Sequence, residues 1–424
     1  MDFGSTFTKA AHVSASGELL GTASHRTTID TDVLDGLDAC LVALGNPSSE
    51  VLACSSAGGG LRIAVVGNEE LVTAEAGKRV ALSSGGKVVS VLSGPPALED
   101  LGEPDVVLLT GGTDGGNAEV LLECAGALRE WDGPIVVAGN ADADVASVLA
   151  GRTFVVADNV MPRIGVLAPD SARAAIREMF LAHVIGGKHL SSRGGFVEMV
   201  RGATPDVVLT AVELLAEEVG DVAVVDVGGA TTDVHSVVEL DPDSIGREVV
   251  ATTRVTRTVE GDLGMRWSAV STVEEGFSAG LITDDQVAAA RVGARGRQSH
   301  PSYLPDGDAA RALDERIAAA AIGVALRRHA GRAQVVFSPE GRVVERTGKD
   351  LREVGLLIGS GGVLRHSPDP ESVVRRHLSG EGGWQLPEHA HVVVDTECVL
   401  AAAGLLATNH PDVARGLLGP LTRH

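Results

Sequence analysis

Two segments of this chain set acids beside glycines and hydroxyls in an order that can do chemistry. The longer is Val224-Val225-Asp226-Val227-Gly228-Gly229-Ala230-Thr231-Thr232-Asp233-Val234-His235. Its apolar lead-in, Val222 to Val225, reads as a buried strand. The strand meets an acid, then two glycines, two hydroxyls and a second acid, and returns at once to apolar strand. Such a turn suits phosphate. Glycines let backbone N–H groups come close to the oxygens. Thr231 and Thr232 add hydroxyl donors, and Asp226 at the strand end can hold a metal ion or its water shell. A glycine-rich β-hairpin with a solvated Asp is the competing reading. The second segment opens the chain, Asp2-Phe3-Gly4-Ser5-Thr6-Phe7-Thr8-Lys9, where an acid again precedes a glycine and hydroxyl turn that leads into a strand. A third stretch, Leu356 to Leu364, is a strand running into Gly359-Ser360-Gly361-Gly362.

The elements that must hold these turns come from a chain of 424 residues, long enough for two domains. Hydrophobic residues make up 44% and aromatics only 3%, so the core is built from Val, Leu, Ile and Ala. A net charge of −22 repels nucleic-acid phosphates and argues against that class of partner. Cys40, Cys54, Cys124 and Cys398 are scattered and form no CxxC, so neither a zinc site nor a disulfide framework is indicated. A reduced cytoplasm fits, and a cytoplasmic location is expected. The N-terminus has no basic, apolar leader pattern, and no apolar run approaches the roughly 18 residues that span a bilayer. The Ala-rich stretch Ile317 to Leu326, flanked by Arg316 and Arg327, reads as a packed helix.

Along the chain, Phe7 to Val13 and Leu19 to Ala23 read as paired strands around the Ser16-Gly17 turn. Asp30 to Leu44 reads as a helix with Val33, Leu34, Leu37 and Leu41 on one face. Val51 to Cys54 reads as a strand. Strand and helix then alternate as far as about Asn159. The strands are Arg62 to Val66, Lys87 to Leu92, Val106 to Leu109, Ile135 to Ala138 and Phe154 to Val156, and Glu69 to Leu82 is a helix. This is the pattern of a parallel, doubly wound sheet, set between the two turns. Within it, the turn Gly112-Thr113-Asp114-Gly115-Gly116 can bind an anion at a helix start or serve as a tight structural turn, and Asp114 counts against the anion. Asp170 to Val184 reads as a helix capped by Asp170 or Ser171. Val237 to Glu239 and Glu248 to Arg254 read as strands. Glu260 and Asp262 either reach toward the second turn's ligand or cap the following helix. Arg291 to Pro305 reads as a mobile loop, and Ser367 to Glu388 contains a further loop-rich stretch.

The pairing of Asp-x-Gly-Ser-Thr with a distant Asp-x-Gly-Gly-x-Thr resembles the two phosphate loops of the actin, sugar-kinase and DnaK-type chaperone superfamily. Gly359 to Gly362 resembles its adenosine loop. Thr204 to Glu218 and Glu397 to Ala407, the latter carrying Ala401-Ala402-Ala403-Gly404, fall where that superfamily places connecting helices. A closer resemblance covers nearly the whole chain, to the MutL/GlmL-type accessory or reactivating proteins of adenosylcobalamin-dependent glutamate mutase. It is carried by Asp2 to Lys9, Ala53-Cys54-Ser55-Ser56-Ala57-Gly58-Gly59, Gly111 to Asn117, Asn159-Val160-Met161-Pro162, Val225 to Ser236, Arg257 to Arg266, and Gly348-Lys349-Asp350 with Ile358 to Gly362.

The resemblance implies an α/β, two-lobed, actin-like ATPase with ribonuclease H-like lobes and an extra α/β segment inserted in the first. Residues 1–204 would form the first lobe with the insertion at about 60–160. Residues 205–395 would form the second lobe, and 396–424 a connector returning to the first. It implies ATP or ADP with Mg²⁺ held between the lobes. Gly4, Ser5, Thr6, Gly228, Gly229, Thr231 and Thr232 would hold the phosphates, Lys9 would either neutralise charge or be structural, and Gly359, Ser360, Gly361 and Gly362 would pack on the adenosine. Asp2 and Asp226 would organise the metal shell and the attacking water. Mutase subunits would be the partner, with no nucleic acid and no membrane. The chain has no Asp-x-His-x-x-Gly string, so tight cobalamin binding is not expected. In the family a full apolar strand precedes the first turn, whereas here only Met1 precedes Asp2, and the expectation is a start further upstream. A small-molecule kinase and a non-catalytic or filament-forming relative are the alternatives.

Overall fold

Each acid-glycine segment folds as the hairpin at the centre of a five-stranded sheet. The computed structural model describes residues 1–239, 253–338 and 341–423. The chain divides into two units, one built mainly from Met1–Ala211 with Ala401–Gly416, the other mainly from Val212–Glu239 and Arg257–Leu400.

The first unit starts with β1 (Asp2–Phe3), β2 (Phe7–Val13), β3 (Leu19–Arg26) and β4 (Ala53–Ser55). A second sheet then intervenes, made of β5 (Leu61–Gly67), β6 (Gly86–Ser93), β7 (Val106–Leu109), β8 (Ile135–Val137) and β9 (Phe154–Val156), before β10 (Val200–Ala203) returns to the first. The first sheet has the order β3-β2-β1-β4-β10. Its β1-β2-β3 meander is antiparallel, while β4 and β10 join parallel. The intervening sheet has the order β6-β5-β7-β8-β9, and every pair in it is parallel. In order of occurrence that is 2-1-3-4-5, the flavodoxin-like doubly wound arrangement. Both faces are covered, so β5 and β7 read as unbroken apolar runs (Ile63 to Val66 and Val106 to Leu109 are fully buried) rather than as alternating strands.

The second unit contains β11 (Val222–Val227), β12 (Thr232–Val237), β13 (Val255–Glu260), the hairpin β14 (Arg332–Ser338) with β15 (Gly341–Thr347), β16 (Leu356–Ser360) and β17 (His391–Val394). Its main sheet runs β13-β12-β11-β16-β17. Here too the central strand pairs antiparallel with its hairpin partner and parallel with the strand on its other side. Both units therefore repeat one strand order, 3-2-1-4-5, the arrangement expected of ribonuclease H-like lobes. The Ala-rich stretch lies in helix Asp308–Ala330, buried on all sides from Ile317 to Leu326. Small side chains let its neighbour come close: a Cβ on Gly276 of helix Ala269–Ser278 would sit 2.8 Å from the Ala320 methyl.

Helices Thr204–Val219 and Val399–Ala407 occupy the two predicted connector segments. They meet backbone to backbone, for a Cβ on Gly404 would lie 1.9 Å from the Val207 carbonyl oxygen. The division between the units falls inside both helices. Among the described residues no helix is long and apolar enough to cross a membrane.

Some expectations need correction. Arg291 to Pro305 is not a loop, because helix Asp284–Ser299 runs through most of it. Gly293 is needed because it packs under Leu313, and buried Arg297 ties the helix to Asp314. The Glu69–Leu82 helix begins as a wide π turn, Glu70–Ala74, before turning α-helical at Glu75. The segment Ser367 to Glu388 contains a helix, Pro370–Arg375, with Asp369 accepting from Ser372 N as its cap. The strand expected at Glu248 to Arg254 lies mostly outside the described residues; the strand that follows begins at Val255.

Candidate functional site

In the first unit Asp2 and Phe3 pair with Lys9 and Thr8, so Lys9 stands directly across from Asp2. The turn between them closes with Gly4 N–H donating to Phe7 O at 3.1 Å. Only glycine fits at position 4, since a Cβ there would lie 2.6 Å from that same carbonyl. Thr27 fastens the turn from behind, its hydroxyl donating to Gly4 O at 2.7 Å and its N–H to Thr6 O at 3.0 Å. The Gly4 and Thr6 carbonyls are thereby turned toward protein. Among the described residues the N–H groups of Ser5 and Thr6 have no protein acceptor, and both residues are exposed. Asp2 Oδ1 accepts from the Thr204 hydroxyl at 2.7 Å, at the start of the connector helix, and from the Cys54 thiol. Burial, and then the Asp2 charge, pushes that thiol up, so it stays protonated and donates.

The second unit repeats this construction. Asp226 and Val227 pair with Asp233 and Thr232, and Gly228 N–H donates to Thr231 O at 2.9 Å. A Cβ on Gly228 would sit 2.9 Å from that carbonyl. Ser268 Oγ donates to Ala230 O at 2.6 Å, taking the part that Thr27 plays in the first turn. The Gly229 and Ala230 N–H groups likewise have no protein acceptor among the described residues. Three further backbone bonds hold this turn: Met265 N to Gly228 O at 3.0 Å, and Arg266 N and Trp267 N to Gly229 O at 2.7 and 2.9 Å. Thr231 Oγ1 donates to Asp233, while buried Thr232 donates to Leu263 O. Asp226 and Asp233 face each other across the hairpin, a like-charge pairing that is unfavourable alone. Arg257 offsets it, its Nε donating to Asp233 Oδ1 at 3.0 Å from an almost fully buried position.

The predicted adenosine loop adjoins this turn. Ser360 stands beside Asp226 in the parallel register of β11 and β16. Gly361 has φ +121°, and a Cβ there would lie 2.4 Å from Val227 O. Gly361 and Gly359 are both buried, and a Cβ on Gly359 would strike Leu364 and Val374 at 2.8 Å. Their lack of side chains lets backbone and core pack closely, while Ser360 and Gly362 reach the surface.

Asp262 is held by Arg328, whose Nη1 donates to it at 2.8 Å and to Glu260 at 2.6 Å. The Arg328 hydrogen bond draws the Asp262 carboxyl below its usual range, whereas burial raises that of Glu260. Both acids therefore serve Arg328. In the inserted sheet Asp114 is structural too. Its Oδ1 accepts from Asn159 Nδ2 at 2.9 Å and from Ala141 N at 3.2 Å, binding together the loops after β7, β8 and β9. Sequence reasoning quoted Arg257 and Arg266 only as part of a segment that carries a resemblance, gave them no role, and passed over Asp314. Arg266 Nη2 donates to Asp314 Oδ2 at 3.0 Å, and Arg297 holds the other carboxylate oxygen. An acid in an Ala-rich helix gives no local sign that two distant arginines converge on it.

Each turn can accept phosphate oxygens on its outward amides, with an acid at the end of the strand that leads into it. No three His, Cys, Asp or Glu side chains among the described residues converge as a metal cluster. Mg²⁺ is bound through one or two carboxylates together with substrate phosphates and retained waters. Asp2 and Asp226 are the acids that would supply those carboxylates.

Fold and turns together define a mixed α/β protein of two units, each organised on one repeated sheet with an acid-led glycine turn at its centre. The chain belongs to the MutL protein family, which it matches over residues 1–420. It is 36% identical to Protein MutL of Clostridium tetanomorphum, across 98% of this chain and 96% of that one. Among solved structures it is similar to a nucleotide-free acetone carboxylase, 16% identical, covering 96% of this chain and 69% of the other at a TM-score of 0.40. It is also similar to an ATP-dependent caprolactamase from Pseudomonas jessenii, 12% identical, covering 96% and 71% at a TM-score of 0.36.

Proposed function

We propose that the chain is an ATP-dependent, chaperone-like reactivating factor for an adenosylcobalamin-dependent mutase, glutamate mutase or a related aminomutase. The observation that supports this reading most is the pair of matched turns, each with two outward N–H groups unpaired in protein, in a chain of the MutL family. The amides of Ser5, Thr6, Gly229 and Ala230, with the hydroxyls of Ser5 and Thr6, bind the phosphates. Lys9 adds positive charge. Mg²⁺ would supply charge neutralisation on the phosphate oxygens. Asp226 orients the attacking water, which forms a new P–O bond at the γ-phosphorus as the bond to the bridging oxygen of ADP breaks. Positioning and electrostatics provide most of the catalysis in such transfers, so a slow ATPase needs no separate strong base. ATP binding closes the units on the nucleotide and hydrolysis relaxes them. The change in presented surface lets the mutase release cofactor that has lost its adenosyl group.

The test is ATP turnover by the purified chain, with and without the mutase encoded nearest to it, alongside recovery of inactivated mutase. Turnover is expected to rise with the mutase. Asp226→Asn is expected to cut it by about 10²-fold, the scale of losing one well-placed electrostatic group. Full turnover and full reactivation by Asp226→Asn would refute the assignment.

A further inference from the structure

The inserted sheet takes no part in the site above, yet its two ends differ sharply. All five strands are parallel, so the loops after them gather at one end, the end at which doubly wound sheets engage their ligands. Exposed large apolar side chains concentrate there. Leu71 after β5 is 77% exposed and Ile164 after β9 is 74% exposed, joined by Leu98 and Val166. Among the described residues, the loops that lead into these strands at the other end expose no large apolar side chain.

Charge divides the same way. At the opposite end most acids have basic partners: Asp132 has Arg152 at 2.6 Å, Asp105 has Lys188 at 3.1 Å and Glu103 has Arg62 at 3.8 Å, while Glu130 makes no ion pair among the described residues. At the carboxyl end Glu69, Glu70, Asp100, Asp142 and Asp158 make no ion pair among the described residues, and Arg163 is the one Lys or Arg in these loops. A cavity of about 370 Å³ opens beside the ends of β5 and β6, walled by Leu92, Pro95, Pro96 and Ala97 and bearing Glu70 and Asp100. Its lining is mostly polar, but Pro95, Pro96 and Ala97 offer a surface for the stem of a long cationic side chain and the two acids meet its charge. At the switch point between β5 and β7, Asn68 Oδ1 lies buried against Gly111 with no hydrogen-bond partner.

We infer that the carboxyl end of the inserted sheet docks the mutase, through a surface that sets apolar side chains against Leu71 and Ile164 and Lys or Arg side chains against the acids, one cationic side chain entering the Glu70–Asp100 cavity. This rests on the reading under Proposed function, because it names the surface that meets that partner. Unpaired acids around exposed apolar residues recruit a basic surface by steering and hold it by burial.

The experiment is biolayer interferometry of the full chain against the intact mutase, run beside ATP turnover with and without mutase. Wild type is expected to bind, more weakly as salt rises. Leu71→Asp with Ile164→Asp, and separately Glu70→Lys with Asp100→Lys, are each expected to weaken binding at least 10-fold, the scale of losing one anchoring contact. Turnover without mutase should stay unchanged in both. Glu103→Lys, at the opposite end, should bind as wild type does. If wild type binds and is stimulated, and both double variants do the same, the docking face is elsewhere and only this inference falls. If wild type neither binds nor is stimulated, the proposed function fails and takes the inference with it.

Discussion

Replacing Asp314 tests whether the second turn rests on a buried ionic support. Asp314 is 4% exposed and lies between Arg266 and Arg297. Removing one member of a buried ion pair typically costs about 3–5 kcal/mol, because the remaining charge is left without its partner. Both arginines keep backbone acceptors after Asp314→Ala. Arg297 still donates to Gly293 O and Ala310 O, and Arg266 to Tyr303 O and Met265 O. Both guanidiniums also stay near the Tyr303 ring. The loss should therefore fall at the low end, about 3 kcal/mol. At about 2–4 °C per kcal/mol for a body of this size, the second unit's transition should drop by ~6–12 °C. Scanning calorimetry of the full chain checks this, as does urea unfolding followed by tryptophan fluorescence, since Trp267 and Trp384 both belong to that unit. Arg266 N also holds Gly229 O, so the same variant should bind ATP several-fold more weakly. Asp308→Ala on the same helix is the control: Asp308 pairs with Arg311 in full solvent, and its loss should barely register. Equal shifts from the two variants, or a loss below about 1 kcal/mol from Asp314→Ala, would refute the reasoning.

Acid should weaken the second unit. Burial holds His235 and His329 well below the ordinary histidine range, and burial with the nearby Arg376 and Arg327 charges takes His377 to about 4. The unfolded chain then binds protons the folded chain refuses, so stability is complete above about pH 6.5 and falls as pH drops, by up to ~1.4 kcal/mol per pH unit for each histidine. The urea midpoint should be lower at pH 5 than at pH 7.5; a flat or rising profile contradicts this. Gly404→Ala should cost about 1–3 kcal/mol by forcing helix Val399–Ala407 off the Val207 carbonyl, and an unchanged melting temperature would show that the contact yields freely. Gly4→Ala should weaken ATP binding without unfolding the first unit, since its Cβ would push on the Phe7 carbonyl within the exposed turn; unaltered ATP affinity by titration calorimetry would count against a phosphate role there.

The strands were legible wherever burial wrote a clear pattern. Val106 to Leu109 and Phe154 to Val156 appear with the bounds their apolar runs predict, because each is flanked by turn residues. The Asp30 to Leu44 helix starts later, at Val33, since Asp32 turns its side chain back to accept from Leu34 N and caps the helix itself. Helix Asp284–Ser299 escaped notice because Gly293 and Gly296 look like breakers in isolation; the packing of Leu313 explains Gly293, and nothing in the structure explains Gly296. The acids and glycines of both turns could be read directly. What holds the turns could not, since Thr27 and Ser268 are ordinary hydroxyl residues until the fold brings them behind Gly4 and Ala230.

The two turns share little sequence: an acid two residues before a glycine, and hydroxyls beyond. They share much geometry. In both, the acid is the last residue but one of the central strand, the glycine donates across a four-residue turn to a carbonyl that leaves no room for a Cβ, and a hydroxyl from elsewhere fastens a turn carbonyl from behind. The repeated requirement is thus backbone shape, with amides outward and carbonyls inward. A turn needed only to join two strands has no reason to leave its N–H groups unpaired while its carbonyls are bonded, since water satisfies either group alike. That asymmetry, complete in the second turn and broken only at Ser5 O in the first, is what supports the proposed anion as the partner of these amides. It also predicts that substitutions at Ser5 or Ala230 which keep the backbone shape will be tolerated better than any at Gly4 or Gly228.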